Sequence, residues 1–295
     1  MKRILIVTLL AMAKLAMQTS ITDAQQRNAR ALQVPDRQAE DKPAPPFKIF
    51  DNIWFDGFES ATSFVFKTSA GLILIDTGYK NLEDYQPKAF QQLGLNPKDI
   101  KYIIINHAHT DHTGGANYMQ RLTGARVGMA EGDWEFQSKG TYMNSQGYKR
   151  EFTPIKKDLV IKDGDTLTLG DTTLKFHILP GHTPGDTSFE FTAVEGGKKY
   201  KGFYFSGIGT DFKGVKAAQD HLGKVKAIAA LPDIQVTLTD HVQGGKILEK
   251  GKQLASRKPG DPNPFVDPVI FKEQAQRLVA SAEKKLKEEQ AAGRQ

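Results

Sequence analysis

Two stretches of this chain are apolar without alternation. "GLILIDTG" (71–78) and "YIIIN" (102–106) read as strands buried on both faces. Elsewhere the pattern alternates, as in "FKIFDNIWF" (47–55) and "TSFVFKTS" (62–69). Further strands are predicted over "ARVGMA" (125–130), 159–162, 166–169, 172–179, 187–193, 200–206 and "IQVTLTD" (234–240). Helices are predicted over 82–93, 114–122, 131–137, 217–230 and 268–290. In the last of these Phe271, Ala275, Leu278, Ala282 and Leu286 recur at helical spacing, the pattern of a core-facing stripe. Residues 138–157 are rich in Gly, Asn and Tyr and read as a loop. No tandem repeat is visible. Instead there are two blocks, each of several strands followed by helix and strand. This predicts an α/β chain with two sheet-plus-helix halves facing each other across one core, spanning 47–295 as a single domain.

The N-terminus departs from this pattern. Lys2 and Arg3 precede an apolar stretch, Ile4 to Ala13, of about the length of a secretory h-region and too short to anchor in a bilayer. Thr22-Asp23-Ala24 is a usable cleavage site, so 1–24 is expected to be a signal peptide and the mature protein to be periplasmic. Residues 25–46 are polar and carry Pro35, Pro43, Pro45 and Pro46. They read as an arm on the surface.

Composition narrows the chemistry. The net charge is +6, but no run of five or six Lys/Arg occurs, so no nucleic-acid groove is indicated. There is no cysteine. An exported chain without disulfides relies on its core, and any metal site must be built from His and carboxylates.

Three of the seven histidines fall within "INHAHTDHTGG" (105–115), directly after the "YIIIN" strand. His107, His109 and Asp111 alternate with spacers, so an extended turn projects them to one side, and His112 points elsewhere. One segment can thus supply two ligands to one metal and two to a neighbour. The missing ligands should be isolated histidines at strand ends, next to Gly or Pro. "PGHTPGD" (180–186) offers His182, and "LTDHVQGG" (238–245) offers His241. His177 lies mid-strand and reads as structural, and His221 reads as a surface residue.

With H-x-H-x-D-H, G-H-T-P-G and a final lone His in place, the chain resembles the metallo-β-lactamase fold, an αββα sandwich of two mixed sheets with helices outside. The phrases "PFKIFDNIWF", "LILIDTG", "GHTPGDTS" and "GDPNPFVD" are most similar to class B, subclass 3 metallo-β-lactamases. The resemblance implies two Zn2+ per chain, the first held by His107, His109 and His182, the second by Asp111, His112 and His241. It implies hydrolysis of the β-lactam amide by water activated between the zincs, with Asp111 orienting that water. It places Asp76 beneath the metal loop, orienting a ligand imidazole. By the same resemblance Tyr142, Met143 and Phe58 are candidates for apolar substrate contact. The expected partner is a small β-lactam, the expected state a monomer, with no membrane contact after cleavage. One stretch departs from the subclass pattern. Where Asp-Ser is usual, "YFSGIGTD" (204–211) leaves Ser206 to stand in for either residue, and Gly207 or Gly209 at a serine position. The alternatives are a lactonase or thioesterase of the same fold, which carry a metal-bridging Asp on this strand end, or a non-catalytic zinc-binding protein.

Overall fold

The first apolar segment, expected as one strand over 47–55, is folded in two. β1 (Phe47–Phe50) and β2 (Ile53–Phe55) pair antiparallel about Asp51 and Asn52. That polar pair breaks the alternation and reverses the chain. β3 (Phe64–Thr68) and β4 (Gly71–Ile75) extend the sheet antiparallel. Helix α1 (Tyr85–Gln92) then carries the chain to β5 (Ile100–Ile104), parallel to β4. Helices α2 (Thr110–Thr113) and α3 (Ala116–Thr123) lead to β6 (Arg126–Ala130), parallel to β5. Helix α4 (Glu131–Ser138) follows.

This computed structural model describes residues 41–80, 84–144, 147, 149–207 and 209–293. The expected leader, 1–24, and the expected arm up to residue 40 lie outside them. The described end of that arm is stitched to the body: Ala44 is buried and its amide donates to Gly57 O, and Glu59 N donates to Lys42 O. The described residues separate into a main body, 41–140 and 151–293, and a short unit, Thr141–Arg150. That unit, expected as loop, carries β7 (Thr141–Met143) and the start of β8 (Lys149–Glu151), paired with each other.

In the main body β9 (Leu159–Ile161) completes a seven-stranded sheet of order β1-β2-β3-β4-β5-β6-β9. The second sheet runs in chain order: β10 (Thr166–Leu169), β11 (Thr172–Ile178), β12 (Thr187–Glu195), β13 (Lys198–Phe205) and β14 (Val236–Thr239). β13 and β14 are parallel, joined through helix α5 (Val215–Ala229). Helix α6 (Ile247–Ala255) was not legible in the sequence, because its lysines and Gly251 mask the apolar face carried by Ile247. Helix α7 (Pro268–Ala291) closes the fold, its start fixed by Asp267 accepting from Val269 N and by Pro268 in the first turn.

The two sheets pack face to face through aromatic side chains. Phe66 meets Phe189 edge-on at 6.1 Å, and Phe64 meets Tyr204 at the same distance. A second apolar layer lies on the outer face of the smaller sheet. There Phe203 and Phe205 meet Val225 and Ile228 of α5 and Phe271, Ala275, Leu278 and Ala282 of α7. The predicted stripe of the last helix is thus its buried face. Leu286, the last member of that stripe, is not part of this layer. Among the described residues no helix is long and apolar enough to cross a membrane.

Candidate metal centre

β4 and β5 are parallel neighbours, so their C-terminal ends open on the same edge of the sheet. Asp76 follows β4 and Asn106 follows β5. Asp76 takes a left-handed backbone, φ +58°, which a non-glycine residue adopts only when its surroundings enforce it. Here its carboxylate is the enforcing element. Oδ1 accepts from Asn106 N at 2.9 Å, and Oδ2 from Tyr204 Oη at 3.1 Å, from Asn106 Nδ2, and from His112 Nδ1 at 3.0 Å. Asn106 in turn uses Oδ1 to accept from His107 Nδ1.

The histidine segment is extended only as far as His109. That residue, at φ −64° and ψ 154°, starts α2, so Asp111 and His112 stand on a helical turn and not on the extended turn expected from their spacing. The helical rotation lets adjacent residues converge: Asp111 Oδ2 lies 3.5 Å from His112 Nε2 and 3.7 Å from His241 Nε2. Two groups result. Donor atoms of His107, His109 and His182 lie within 4.8 Å of one another, and so do those of Asp111, His112 and His241. In the first group His109 Nδ1 faces His182 Nε2 at 2.9 Å. A third group, His107, His112 and Asp240, meets the same criterion.

The donors are prepared for a metal. His107 and His112 each commit Nδ1 to a hydrogen bond, which leaves Nε2 buried and without a hydrogen-bond partner on both rings. His241 likewise commits Nδ1 to Ser60 O at 3.2 Å. Burial, reinforced by neighbouring imidazoles, holds His107 well below the usual histidine range and His109 at about 3. Burial and His112 lower His182 as well, although carboxylates nearby oppose them. All three rings are therefore neutral at pH 7, the form that ligates. In the second group burial pulls Asp111 up, but His112, His241 and His109 outweigh it and keep the carboxyl ionised. Burial pulls His112 down, yet Asp111 and Asp76 push it up to about 10, a proton that a metal cation would replace. Three nitrogens in one group and two nitrogens with a carboxylate in the other suit zinc.

A carboxylate that no motif announced ties the two candidate ligand loops together. Asp133, near the start of α4, is fully buried. Its Oδ2 accepts from Ala108 N and Thr183 Oγ1, both at 2.9 Å, and its Oδ1 from Gly185 N at 2.8 Å. Burial pushes its carboxyl up to about 6. Asp186 closes the second loop by accepting from Thr183 N at 2.8 Å. The visible hint for Asp133 was an acidic residue just past a parallel strand end, in "AEGDW".

Several expectations are corrected. Phe58 is fully buried against Tyr79, Tyr85 and Gly78, so it is core and not a substrate contact. Ser206 is buried, its hydroxyl engaged within the protein, 3.4 Å from Asn106 O and 3.3 Å from Asp186 Oδ1. Gly207 and Gly209 cannot be serines: a Cβ there would lie 2.5 Å from His182 Cδ2 and 2.7 Å from His182 Cα. His221 is not on the surface. It is buried beside Phe212 and donates from Nδ1 to Pro180 O, bracing the turn that carries His182. His177, by contrast, is structural as expected, paired with Glu190 at 2.9 Å within the sheet. Tyr142 and Met143 belong to the short separate unit, in which Met143 is exposed.

Residues 56–194 match the family model of the metallo-beta-lactamase superfamily. Among solved structures the chain is similar to BJP-1, a subclass B3 metallo-beta-lactamase of Bradyrhizobium japonicum. It is 33% identical with a TM-score of 0.72, covering 85% of this chain and 97% of that one. Curated relatives include a hydroxyacylglutathione hydrolase of Pseudomonas putida, 32% identical over 98 residues, 33% of this chain and 30% of that protein. They also include the N-acyl homoserine lactonase AttM of Agrobacterium fabrum, 30% identical over 102 residues, 33% of this chain and 38% of that protein. The chain thus spans only about a third of the length of these two. The similarity to BJP-1 runs over nearly all of that protein, and the two donor groups sit where the chain's sheets open. On those grounds the chain belongs to the metallo-β-lactamase superfamily.

Proposed function

We propose that the protein is a zinc hydrolase that opens the amide bond of β-lactams, with one zinc at His107, His109 and His182 and a second at Asp111, His112 and His241. The observation that carries this reading is the pairing of an all-nitrogen donor group with an Asp-His-His group in a chain similar to a subclass B3 enzyme over 97% of that enzyme's length. Zinc bound there supplies Lewis acidity towards a carbonyl oxygen and brings the pKa of water close to 7. The chain's own residues do the rest. Asp76 holds the proton of His112 on Nδ1 and so keeps Nε2 free. Asn106 does the same for His107. Asp133 keeps the His107–His109 segment in register with the His182 turn. Asp111, half-buried at the edge of both groups, orients the attacking water and takes or returns its proton. We also propose export to the periplasm, on the strength of residues 1–24.

A second reading is hydrolysis of a thioester or a lactone. It is favoured by the hydroxyacylglutathione hydrolase and lactonase relatives. The stretch Ser206-Gly207, with no carboxylate before Asp211, speaks against it.

The test is a panel of a chromogenic cephalosporin, a carbapenem, a homoserine lactone and a glutathione thioester, each with and without a chelator. Lactam turnover that the chelator abolishes is the expected result. Turnover of the lactone or thioester with both lactams untouched overturns the β-lactamase reading.

A further inference from the structure

Asp240 takes no part in the ligand sets proposed above, yet it faces both. It stands at the end of β14, one residue before His241. The parallel register Phe205↔Thr239 places it beside Ser206 on the neighbouring strand. Its backbone is pinned from both sides: its amide donates to Phe205 O at 3.1 Å, and its carbonyl accepts from Thr62 N at 2.9 Å. The side chain is therefore aimed by the sheet and is only 9% exposed.

What it is aimed at is a pair of imidazoles from different donor groups. Asp240, His107 and His112 offer one atom each within a mutual 4.8 Å. Asp240 Oδ2 lies 3.9 Å from His107 Nδ1 and is buried with no hydrogen-bond partner. Asp186 Oδ1 also lies 3.9 Å from His107 Nδ1. Asp186 is occupied, accepting from Thr183 N and Ser206 Oγ. Asp240 has an idle acceptor in the same wall. Around it, among the described residues, the ion pairs of Asp76, Asp111, Asp186 and Asp240 are all with histidines. A buried carboxylate oxygen without a hydrogen bond is disfavoured unless a cation lies close to it. With a metal cation in place of the His112 proton, two imidazole nitrogens and a carboxylate oxygen form a donor set that zinc accepts.

We propose that Asp240 is a metal-directed carboxylate reaching between the two donor groups, so that it holds or steadies zinc together with His107 and His112. This rests on the metal reading of the site but not on the identity of the substrate. The experiment is zinc binding measured by competition with a chromophoric chelator, together with the visible spectrum of the cobalt(II)-substituted protein. Asp240→Asn keeps the shape and removes the charge. It should weaken zinc binding by about ten- to a hundredfold, as loss of a ligand-supporting carboxylate typically does, and shift the cobalt bands. Asp240→Glu, which keeps the charge and moves the oxygen by one methylene, should shift the bands as well, and it stands in as the test should the Asn protein not fold. Native zinc affinity and an unchanged cobalt spectrum in whichever variant folds overturn the proposal. Failure of the unsubstituted protein to bind zinc would instead overturn the metal reading itself, so the two failures are distinct.

Discussion

At the scale of single residues the decisive groups are buried carboxylates. Asp133 serves three donors in two loops. In Asp133→Ala, Ala108 N, Gly185 N and the Thr183 hydroxyl are left unsatisfied, at about 1–3 kcal/mol each. The expected outcome is a lower melting temperature and zinc binding weakened at least tenfold, checked by calorimetry and chelator competition. Asp56 is a different case. It is fully buried, neither oxygen has a hydrogen-bond partner, and burial pushes its carboxyl up to about 7 from 3.8. The folded state therefore binds a proton more tightly than the unfolded chain does. The stability this contributes is fully present below about pH 4 and is lost as pH rises through about 7, on the order of a few kcal/mol. Asp56→Asn should flatten the pH dependence of urea unfolding between those limits, and an unchanged slope would refute the assignment. The candidate ligand histidines were legible because metal chemistry demands such spacing and such strand-end positions. Asn106, Asp133 and Asp240 were not, because their partners are backbone amides and rings brought together only by the fold.

At the scale of elements the strands were legible wherever burial imposes a pattern, as in β4 and β5. The hairpin of β1 and β2 read as one strand because Asp51 and Asn52 fit an alternating pattern as well as a turn. The Phe58 segment was misread because an aromatic near a strand end looks the same whether it faces ligand or core. Gly78 makes the difference measurable. Its φ is +62°, and a Cβ would fall 1.7 Å from the Phe58 ring. Gly78→Ala is expected to cost several kcal/mol, since overpacking adds to backbone strain. Gly94→Ala shares a positive φ but meets nothing within 4 Å, and should cost only about 1 kcal/mol. Melting curves of the two variants test the contrast. On the outer face, Leu278→Ala opens a cavity between α7 and the smaller sheet, and should cost about 2–5 kcal/mol in denaturant unfolding.

At the scale of the whole molecule, two halves meet at one core and one edge. Neither half holds a complete donor group. The larger sheet's loops bring His107, His109, Asp111 and His112, and the smaller sheet's loops bring His182 and His241. Metal binding at these groups would thus be tied to the packing of sheet on sheet. Zinc at a thousandfold excess over its dissociation constant should stabilise the native state by about 4 kcal/mol. A chelator should remove that increment, and an unaltered melting temperature would count against the proposed ligand set. The two-sheet plan was readable from the repeated order of strands, helix and strand. The division of ligands between the sheets needed only the histidines' positions along the chain.

The Asp133 bridge has a kinetic consequence. Ala108 and Gly185 are far apart in sequence, yet their amides end on one side chain. Neither can be released to solvent by fraying of its own loop alone while that carboxylate stays in place. Their hydrogens should therefore exchange with deuterium in step, through one shared opening whose rate is set by the departure of Asp133.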